Sequence, residues 1–295
     1  MTIVVYGAGA IGSVYAARLA ERHDVTVVAR PAHVDAIARG GLRIAGREDR
    51  IARVRAVPRL DAIAPNTLVL LTTKVNDNGA AGDAIAAVAR PDTTVLCVQN
   101  GLHGERIVKE RCEVRGARCV VLRAVTQFGA IFREPGVVEL KVEGYTLVER
   151  HERSAAIADL LTASGLDGRV SPDIDADVWR KLIFNCVINP ITAINGLLVG
   201  EIADPRLDPL KQLVIDECLA VARADGVVFH IDIQQALRDQ FGPSRNIASM
   251  RQDLMKRKPT EIDHMNGAVV ALGRQHGIDC PVNAALVAII KAMEE

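Results

Sequence analysis

The sequence of 295 residues carries no net charge, since Lys plus Arg and Asp plus Glu number 36 each. A nucleic-acid or membrane-surface role driven by bulk charge is therefore disfavoured, because such proteins carry an excess of basic residues. No apolar run reaches the roughly 18 residues that a membrane span needs. The first residues lack the basic segment and long apolar run of a signal peptide. We expect a cytoplasmic protein without nucleic-acid or membrane partners.

The cysteines also indicate what the protein does not contain. None of the six forms a C-x-x-C pair, and Cys97, Cys186 and Cys218 lie in apolar runs, where a free thiol behaves as a small hydrophobe. This usage predicts a reducing compartment without disulfides, and no metal site is expected.

Aromatic residues make up only 3% of the chain, yet the hydrophobic fraction of 49% is ordinary. The length allows two domains with a sizeable core.

Two kinds of pattern divide the chain near Ser171. Before it, short β-branched runs alternate with helical patterns, which predicts a parallel sheet wrapped by helices, with an antiparallel edge where the last runs follow one another directly. After it, the strand signals stop. We therefore predict an α/β Rossmann-like domain with a mostly parallel sheet at residues 1–170 and an all-α domain at residues 171–295. The expected strands are Ile3–Tyr6, Val25–Ala29, Leu68–Thr72, Val95–Val98, Val120–Val125, Gly136–Val142 and Tyr145–Val148; the expected helices are Ala10–Glu21, Ala32–Arg39, Ala80–Val88, His151–Ser164, 173–195, 205–225, 232–240, 244–257, 261–276 and 283–293.

A glycine-rich segment, Gly7–Gly12, follows the first predicted strand and opens a helical pattern. In such a turn the first glycine allows the tight bend, the second lets a pyrophosphate approach the backbone, and the third lets helix and strand pack closely. The N–H groups at the start of the helix then hold the negative charge. This context predicts a dinucleotide site, and a merely tight strand-to-helix turn is the alternative.

Three residues after predicted strands refine this interpretation. Arg30 follows the second strand about 20 residues after the glycines, where an acidic residue would bind the ribose hydroxyls of NAD and an arginine suits the 2′-phosphate of NADP. Lys74 and Asn100 fall at the carboxyl ends of later strands, where open α/β sheets bind ligands. The sequence therefore favours NADP(H). Solvated turn residues are the alternative at all three positions.

A polar stripe stands out in the second half. Lys181, Asn185 and Asn189 recur every fourth residue, so on a helix they share one face. The positions around them are apolar, which indicates a buried helix whose polar groups need partners. A substrate that carries oxygens would be such a partner. A core lysine paired with a structural carboxylate is the alternative.

A second candidate segment lies near the end of the chain. Thr260 and Asp263 have the spacing of a capping box, which predicts a helix that begins at Glu261. A carboxylate at that position is favoured by the helix dipole and suits a buried ammonium as partner. Ser249 and Asn246 could reach the same site. Glu261 as a plain surface residue is the alternative.

Together these segments resemble the ketopantoate reductase (2-dehydropantoate 2-reductase) family over nearly the whole chain. The segments that begin at Trp179 and Thr260 are more specific than the glycine motif. The family has an N-terminal Rossmann domain and a helical C-terminal domain. The matching segments are Gly7–Gly12, Arg30, Thr73-Lys74, Gln99-Asn100-Gly101, Thr126–Ala130, Trp179–Ile194, Asn246–Met250 and Thr260–Gly267.

The resemblance implies reduction of ketopantoate, a 2-oxo acid, by NADPH in pantothenate biosynthesis. It assigns Lys181 as the catalytic lysine, with Glu261 near both lysine and cofactor. One departure concerns Val199, near which family members often carry a substrate-binding asparagine. The residues implied for the cofactor are Gly7, Ala8, Gly9, Ala10, Ile11, Gly12, Arg30, Lys74, Asn100 and Glu261; those implied for the substrate are Asn100, Lys181, Asn185, Asn189, Asn246 and Ser249.

Two other functions remain open at this point. One is a reductase of the same architecture that acts on another branched 2-oxo acid. The other is a non-enzymatic NADP-binding sensor, although a sensor has no need of a buried lysine that faces a carboxylate. Apolar stripes on the C-terminal helices would serve an intramolecular core or a homodimer interface equally well.

Overall fold

The computed structural model describes residues 1–294. The chain divides into two compact units. The first comprises residues 1–99 and 103–174, and the second comprises residues 100–102 and the chain from Asp175 onward. Residues 100–102 therefore belong with the second unit, although the chain just before them belongs to the first. Within residues 1–294, no helix combines the length and the apolar character that crossing a membrane requires.

The first unit contains twelve strands in two sheets. They are β1 (Thr2–Tyr6), β2 (Asp24–Val28), β3 (Leu42–Gly46), β4 (Arg50–Ala52), β5 (Arg55–Val57), β6 (Leu68–Leu71), β7 (Thr94–Val98), β8 (Val120–Thr126), β9 (Gly129–Glu134), β10 (Val137–Val142), β11 (Thr146–Val148) and β12 (Gly168–Val170). Eight of them form one sheet in the order β12-β11-β8-β7-β6-β1-β2-β5, parallel throughout except for the pair β8–β11. The remaining four form a smaller sheet in the order β4-β3-β10-β9.

The central strands of the large sheet are buried along their whole length. Every residue of Leu68–Leu71 and of Thr94–Val98 is buried, which is the pattern of parallel strands covered by helices on both faces. The helices of this unit connect the strands. They are α1 (Ala10–Leu19), α2 (Pro31–Gly40), α3 (Asn78–Val88), α4 (Gly104–Val114) and α5 (Ser154–Ala163).

The second unit is helical around an apolar core of its own. Its largest buried side chains, Trp179 and Phe184, both lie on the first of its helices. The helices are α6 (Ile174–Asn195), α7 (Asp208–Ala224), α8 (Ile233–Phe241), α9 (Ser249–Met255), α10 (Asn266–Gln275) and α11 (Pro281–Met293). The predicted fold class, a mostly parallel Rossmann-like sheet followed by an all-α region, is confirmed.

The predicted elements of the first half are all present, with ends that differ by at most three residues. The local sequence patterns did not predict β3, β4, β5, β9, β12 and α4. The expected antiparallel edge exists between β8 and β11, but the predicted strand at Gly136–Val142 belongs to the second sheet, where it pairs with β3 as well as β9. This sheet pairs segments that are distant in sequence, so no local pattern predicts it.

Two predicted helices of the second half begin five residues later than expected. The helix expected at 244–257 begins at Ser249, because the carbonyls of Ser244 and Asn246 accept the N–H groups of Gly200 and Val199 and this segment stays extended. The helix expected at 261–276 begins at Asn266. A 3₁₀ turn at Ile262–His264 precedes it, and the backbone of Met265 (φ −112°, ψ −98°) separates the two.

Candidate functional site

The glycine-rich loop is closed against the neighbouring strand β2. The N–H groups of Gly7 and Ala8 both donate to the carbonyl of Val28, at 3.0 and 3.2 Å. Gly7 has a φ of +101°, which side chains rarely allow, and a β-carbon there would lie 2.6 Å from the Thr73 nitrogen. The loop therefore requires glycine at its first position.

The other two glycines differ from each other. A β-carbon on Gly12 would lie 2.4 Å from the Thr72 hydroxyl, whereas one on Gly9 would meet no atom within 4 Å. The first main-chain bond of α1 runs from Ser13 to Gly9 at 3.0 Å, so the N–H groups of residues 10–12 precede the helical ladder. Open space at the second glycine beside free helix-start donors fits a bound pyrophosphate.

Arg30 lies where the sequence predicts it, directly after β2 and at the start of α2, with an exposed side chain. Its charge reaches His33, one turn further along. Burial, assisted by the Arg30 charge, lowers the pKa of His33 below its usual value. The neutral ring accepts the Gly136 N–H at 2.9 Å and lies 3.4 Å from the Ser13 hydroxyl. That hydroxyl donates to the Ala8 carbonyl at 3.3 Å, so His33 links α2 to the glycine loop.

Lys74 follows β6 and precedes a 3₁₀ turn at Val75–Asp77, with an exposed side chain. A network of amides holds the loop that carries it. The Gln99 amide donates to the Thr73 carbonyl at 2.7 Å and to the Asn78 side chain at 2.6 Å. Asn78 in turn donates to the Gly104 carbonyl at 2.8 Å. The ends of β6 and β7 are thus joined in the first unit.

Asn100 follows Gln99 but lies in the second unit, and its side chain is half-buried. The next residue, Gly101, has a φ of +88°, and a β-carbon on it would lie 2.8 Å from the carbonyl of His264. The backbone around Asn100 therefore packs against the 3₁₀ turn that follows Glu261. The structure brings these two sequence-predicted segments together.

The polar stripe of the second unit lies on α6, as predicted. Asn189 is buried, while Lys181 and Asn185 keep part of their surface exposed. Burial lowers the pKa of Lys181 to about 8 from 10.5, and the negative charge of Glu261 partly offsets this effect. The structure therefore brings Lys181 and Glu261 into electrostatic contact.

Asn189 joins α6 to two other segments. Its side-chain oxygen accepts the Ser249 hydroxyl at 3.4 Å, and its amide donates to the Met265 sulfur at 3.4 Å. Ser249 is exposed at the first position of α9. The contact with Met265 was not predicted from the sequence, because a thioether in an apolar pattern gives no sign of a polar contact.

Asn246 has different partners. Its side-chain amide donates to the Ser244 hydroxyl at 3.3 Å, and its carbonyl accepts the Val199 N–H at 2.8 Å. Val199 itself is buried. The segment in which family members often carry an asparagine is therefore held against Asn246 and presents an apolar side chain.

The capping box predicted at Thr260 is wrong. The Thr260 hydroxyl accepts the Ile262 N–H at 3.2 Å, but the Asp263 carboxylate pairs with Lys291 at 2.5 Å instead of capping a helix. Thr260 also donates from its N–H and its hydroxyl to Glu294, at 2.8 and 2.6 Å. The end of α11 therefore holds the segment that carries Glu261, and this residue precedes a 3₁₀ turn instead of opening an α-helix.

Comparison with known proteins identifies relatives along the whole chain. The sequence model for "Ketopantoate reductase PanE/ApbA" matches residues 3–153, and that for "Ketopantoate reductase PanE/ApbA C terminal" matches residues 173–294. A 2-dehydropantoate 2-reductase of Pyrococcus horikoshii is 33% identical over 302 residues, which cover 100% of this chain and 98% of the relative.

Solved structures agree in fold. A PanE/ApbA family ketopantoate reductase from Ralstonia eutropha JMP134 superposes with a TM-score of 0.89 at 32% identity, covering 100% of this chain and 98% of the other. A D-mandelate dehydrogenase with NADH and anilino(oxo)acetate has a TM-score of 0.91 at 25% identity, with the same coverage. The matches extend over both units and over every segment of the candidate site, and the chain belongs to the ketopantoate reductase family.

Proposed function

We propose that this protein is an NADPH-dependent oxidoreductase that reduces ketopantoate to pantoate. The observation that carries the proposal is Lys181, whose pKa of about 8 reflects burial next to the charge of Glu261 on a helix face that also presents two amides. The names of the relatives support an oxidoreductase, and the neighbour with NADH supports a nicotinamide cofactor. The choice of NADPH and of ketopantoate is the more specific part of the proposal.

Residues 1–170 form the proposed cofactor domain. The loop Gly7–Gly12 would hold the pyrophosphate, since Gly9 faces open space and the first N–H groups of α1 precede the helical ladder. Arg30, exposed after β2, would pair with the 2′-phosphate. Lys74, Asn100 and Glu261 would complete the cofactor contacts. When bound, the nicotinamide supplies the hydride for the reduction.

Residues 171–295 form the proposed substrate domain, in which Lys181 acts on the ketone. The carbonyl oxygen gains negative charge during reduction, and an ammonium aimed at it stabilises that charge and then donates a proton. A pKa of about 8 keeps Lys181 mostly protonated at neutral pH, yet makes its proton easier to give up than that of an ordinary lysine. Glu261 would keep the ammonium charged between turnovers.

The amides and the hydroxyl around Lys181 are the proposed substrate ligands. Asn189 and Ser249 already contact each other at 3.4 Å, and Asn185 shares their helix face. Such groups suit the carboxylate and the hydroxyl of ketopantoate, with Asn100 and Asn246 as further ligands. We regard another branched 2-oxo acid as the second candidate substrate, because the residues near Val199 are apolar and family members often carry an asparagine in this segment.

The decisive experiment follows NADPH oxidation with ketopantoate beside 2-oxoisovalerate, phenylglyoxylate and pyruvate. The proposal expects the highest kcat/KM with ketopantoate. A clear preference for another acid would keep the reaction and replace the substrate. Tight NADPH binding without oxidation by any of these acids would contradict the enzyme and favour a sensor.

A further inference from the structure

The helix that carries Lys181, Asn185 and Asn189 contains a proline. Pro190 lies inside α6, where each N–H normally donates to the carbonyl four residues earlier. Because proline has no N–H, the carbonyl of Cys186 loses its main-chain donor. Cys186 is fully buried and lies between the two candidate substrate asparagines. An unpaired carbonyl at this position would destabilise the helix.

A side chain from another helix supplies the missing donor. Asn266 is the first residue of α10 and is fully buried, and its amide nitrogen donates to the Cys186 carbonyl at 3.0 Å. A carbonyl can only accept, so the NH₂ end of the side chain must face it. The same nitrogen donates to the side-chain oxygen of Asn283 at 2.9 Å, which uses its second hydrogen.

Asn283 is itself fixed by a half-buried carboxylate. Its amide donates to Glu217 on α7 at 2.7 Å. The same carboxylate accepts the N–H groups of Val282 and Asn283 at the start of α11, at 2.8 and 2.9 Å. Each group in this chain of bonds sets the orientation of the next. The Asn266 amide, carried by α10, is therefore held in one orientation by side chains from α11 and α7.

We propose that Asn266 is a positioning residue, which supplies the hydrogen bond that Pro190 removes and so fixes the part of α6 that carries Asn185 and Asn189. The substrate part of this inference rests on the proposed function. Proline displaces the carbonyl four residues before it and bends the helix. The contact from Asn266 holds the Cys186 carbonyl at one place, and with it the directions of the neighbouring asparagine side chains.

The pairing of donor and proline allows a rescue experiment. Asn266→Ala should leave the Cys186 carbonyl unpaired and lower kcat/KM for the 2-oxo acid by about ten-fold or more. The dissociation constant for NADPH should stay within about two-fold, since α6 and α10 lie outside the proposed nucleotide loop. Pro190→Ala restores an N–H at position 190, so the helix can pair the Cys186 carbonyl itself. In that background Asn266→Ala should cost less than about three-fold.

The test compares wild type, Asn266→Ala, Pro190→Ala and the double variant by kcat/KM, NADPH affinity and urea unfolding. The inference expects rescue in the double variant, in activity and in the unfolding midpoint alike. Equal losses from Asn266→Ala in both backgrounds would overturn it. If Asn266→Ala alone fails to fold, recovery of the double variant as a folded protein is the rescue, and its failure to fold would overturn the inference.

A matched control uses a second amide on the same helix. Asn195 donates to the Ile191 carbonyl at 2.9 Å, and that carbonyl is not the one deprived by Pro190. Asn195→Ala should therefore show no rescue by Pro190→Ala. The unfolding measurements need no substrate, so they decide the hydrogen-bond part even if no 2-oxo acid is reduced. An active enzyme without rescue would contradict this inference alone and leave the proposed function intact.

Discussion

The carboxylate of Glu261 opposes the effect of burial on the ammonium of Lys181, and the balance leaves the pKa of that lysine at about 8 instead of 10.5. Two opposite effects therefore act on one proton. Without the carboxylate, burial alone would lower the pKa further and leave less ammonium at neutral pH. Lys181 is therefore the first residue to test by substitution.

Lys181→Ala should fold and bind NADPH but reduce the 2-oxo acid poorly. Loss of a general acid lowers kcat by about a hundred- to ten-thousand-fold, because its interaction strengthens mainly in the transition state. The measurements are kcat, NADPH affinity by fluorescence titration, and circular dichroism. Lys258→Ala, on an exposed residue nearby in sequence to Glu261, is the control. A folded Lys181→Ala protein with near-wild-type kcat would assign the lysine a structural role.

The pH dependence of the reaction should report the same lysine. Reduction requires the ammonium form, so the rate should be highest below pH 8 and should fall as pH rises through about 8. Glu261→Gln removes the charge that raises the pKa, so the fall should move to lower pH. Rate profiles of both proteins, measured with saturating substrates, check the direction. A fall that moves to higher pH in Glu261→Gln would contradict the assigned relationship.

Arg30 should decide between the two nicotinamide cofactors. A charge-assisted contact with the 2′-phosphate contributes roughly ten- to a hundred-fold in affinity, and NADH lacks that phosphate. Arg30→Ala should therefore lower the NADPH/NADH ratio of kcat/KM by this factor. Arg39→Ala, which changes an exposed arginine at the other end of the same helix, is the matched control. The assignment fails if both variants keep the wild-type ratio.

The pKa of His33 should report whether a cofactor phosphate binds at Arg30, without an activity measurement. The positive charge of Arg30 contributes to the lowered pKa of His33, so a phosphate that neutralises Arg30 should raise that pKa. NADP⁺ should raise it more than NAD⁺, and Arg30→Ala should raise it without any ligand. Titration of the imidazole by NMR measures each shift. Identical shifts with both cofactors would place the 2′-phosphate away from Arg30.

Asn189 and Ser249 should act together on the substrate. Because their side chains lie 3.4 Å apart, alanine at either position should lower kcat/KM, and the double variant should lose less than the product of the two single losses. NADPH affinity should not change. Asn195→Ala, further along the same helix, serves as the control. If the losses in kcat/KM of the two single variants multiply fully in the double variant, the two residues do not act together on the substrate.

The fold was predictable where local patterns carry the signal. The runs that became β1, β6 and β7 are apolar because helices cover both of their faces, so their sequence reveals them. Helix α4 was missed because it is rich in charged residues and begins after His103 in the left-handed region, with φ +59°. Strand β3 pairs with β10, roughly ninety residues away, and such a pairing has no local signature.

The candidate site was predictable to a similar extent. The spacing of Lys181, Asn185 and Asn189 was informative because helical geometry converts it directly into a shared face. The start assigned to the helix at Glu261 failed because the Asp263 carboxylate pairs with Lys291, a residue on a distant helix. No sequence pattern indicated the hydrogen bond from Asn266, since its partner Cys186 lies 80 residues away. A proline inside a helical pattern was the one sign that a donor was needed there.

The three glycines of the loop Gly7–Gly12 are constrained by different contacts. Gly7 and Gly12 are required by the protein's own atoms, because a β-carbon on either would collide with the threonines that follow β6. Gly9 faces open space and has a backbone that other residues can adopt, so only a bound molecule would restrict it. In a relative that binds no nucleotide, the packing of the protein itself would still require glycine at positions 7 and 12. Position 9 would be the first of the three to accept a side chain, so its residue would record whether the proposed nucleotide binds there.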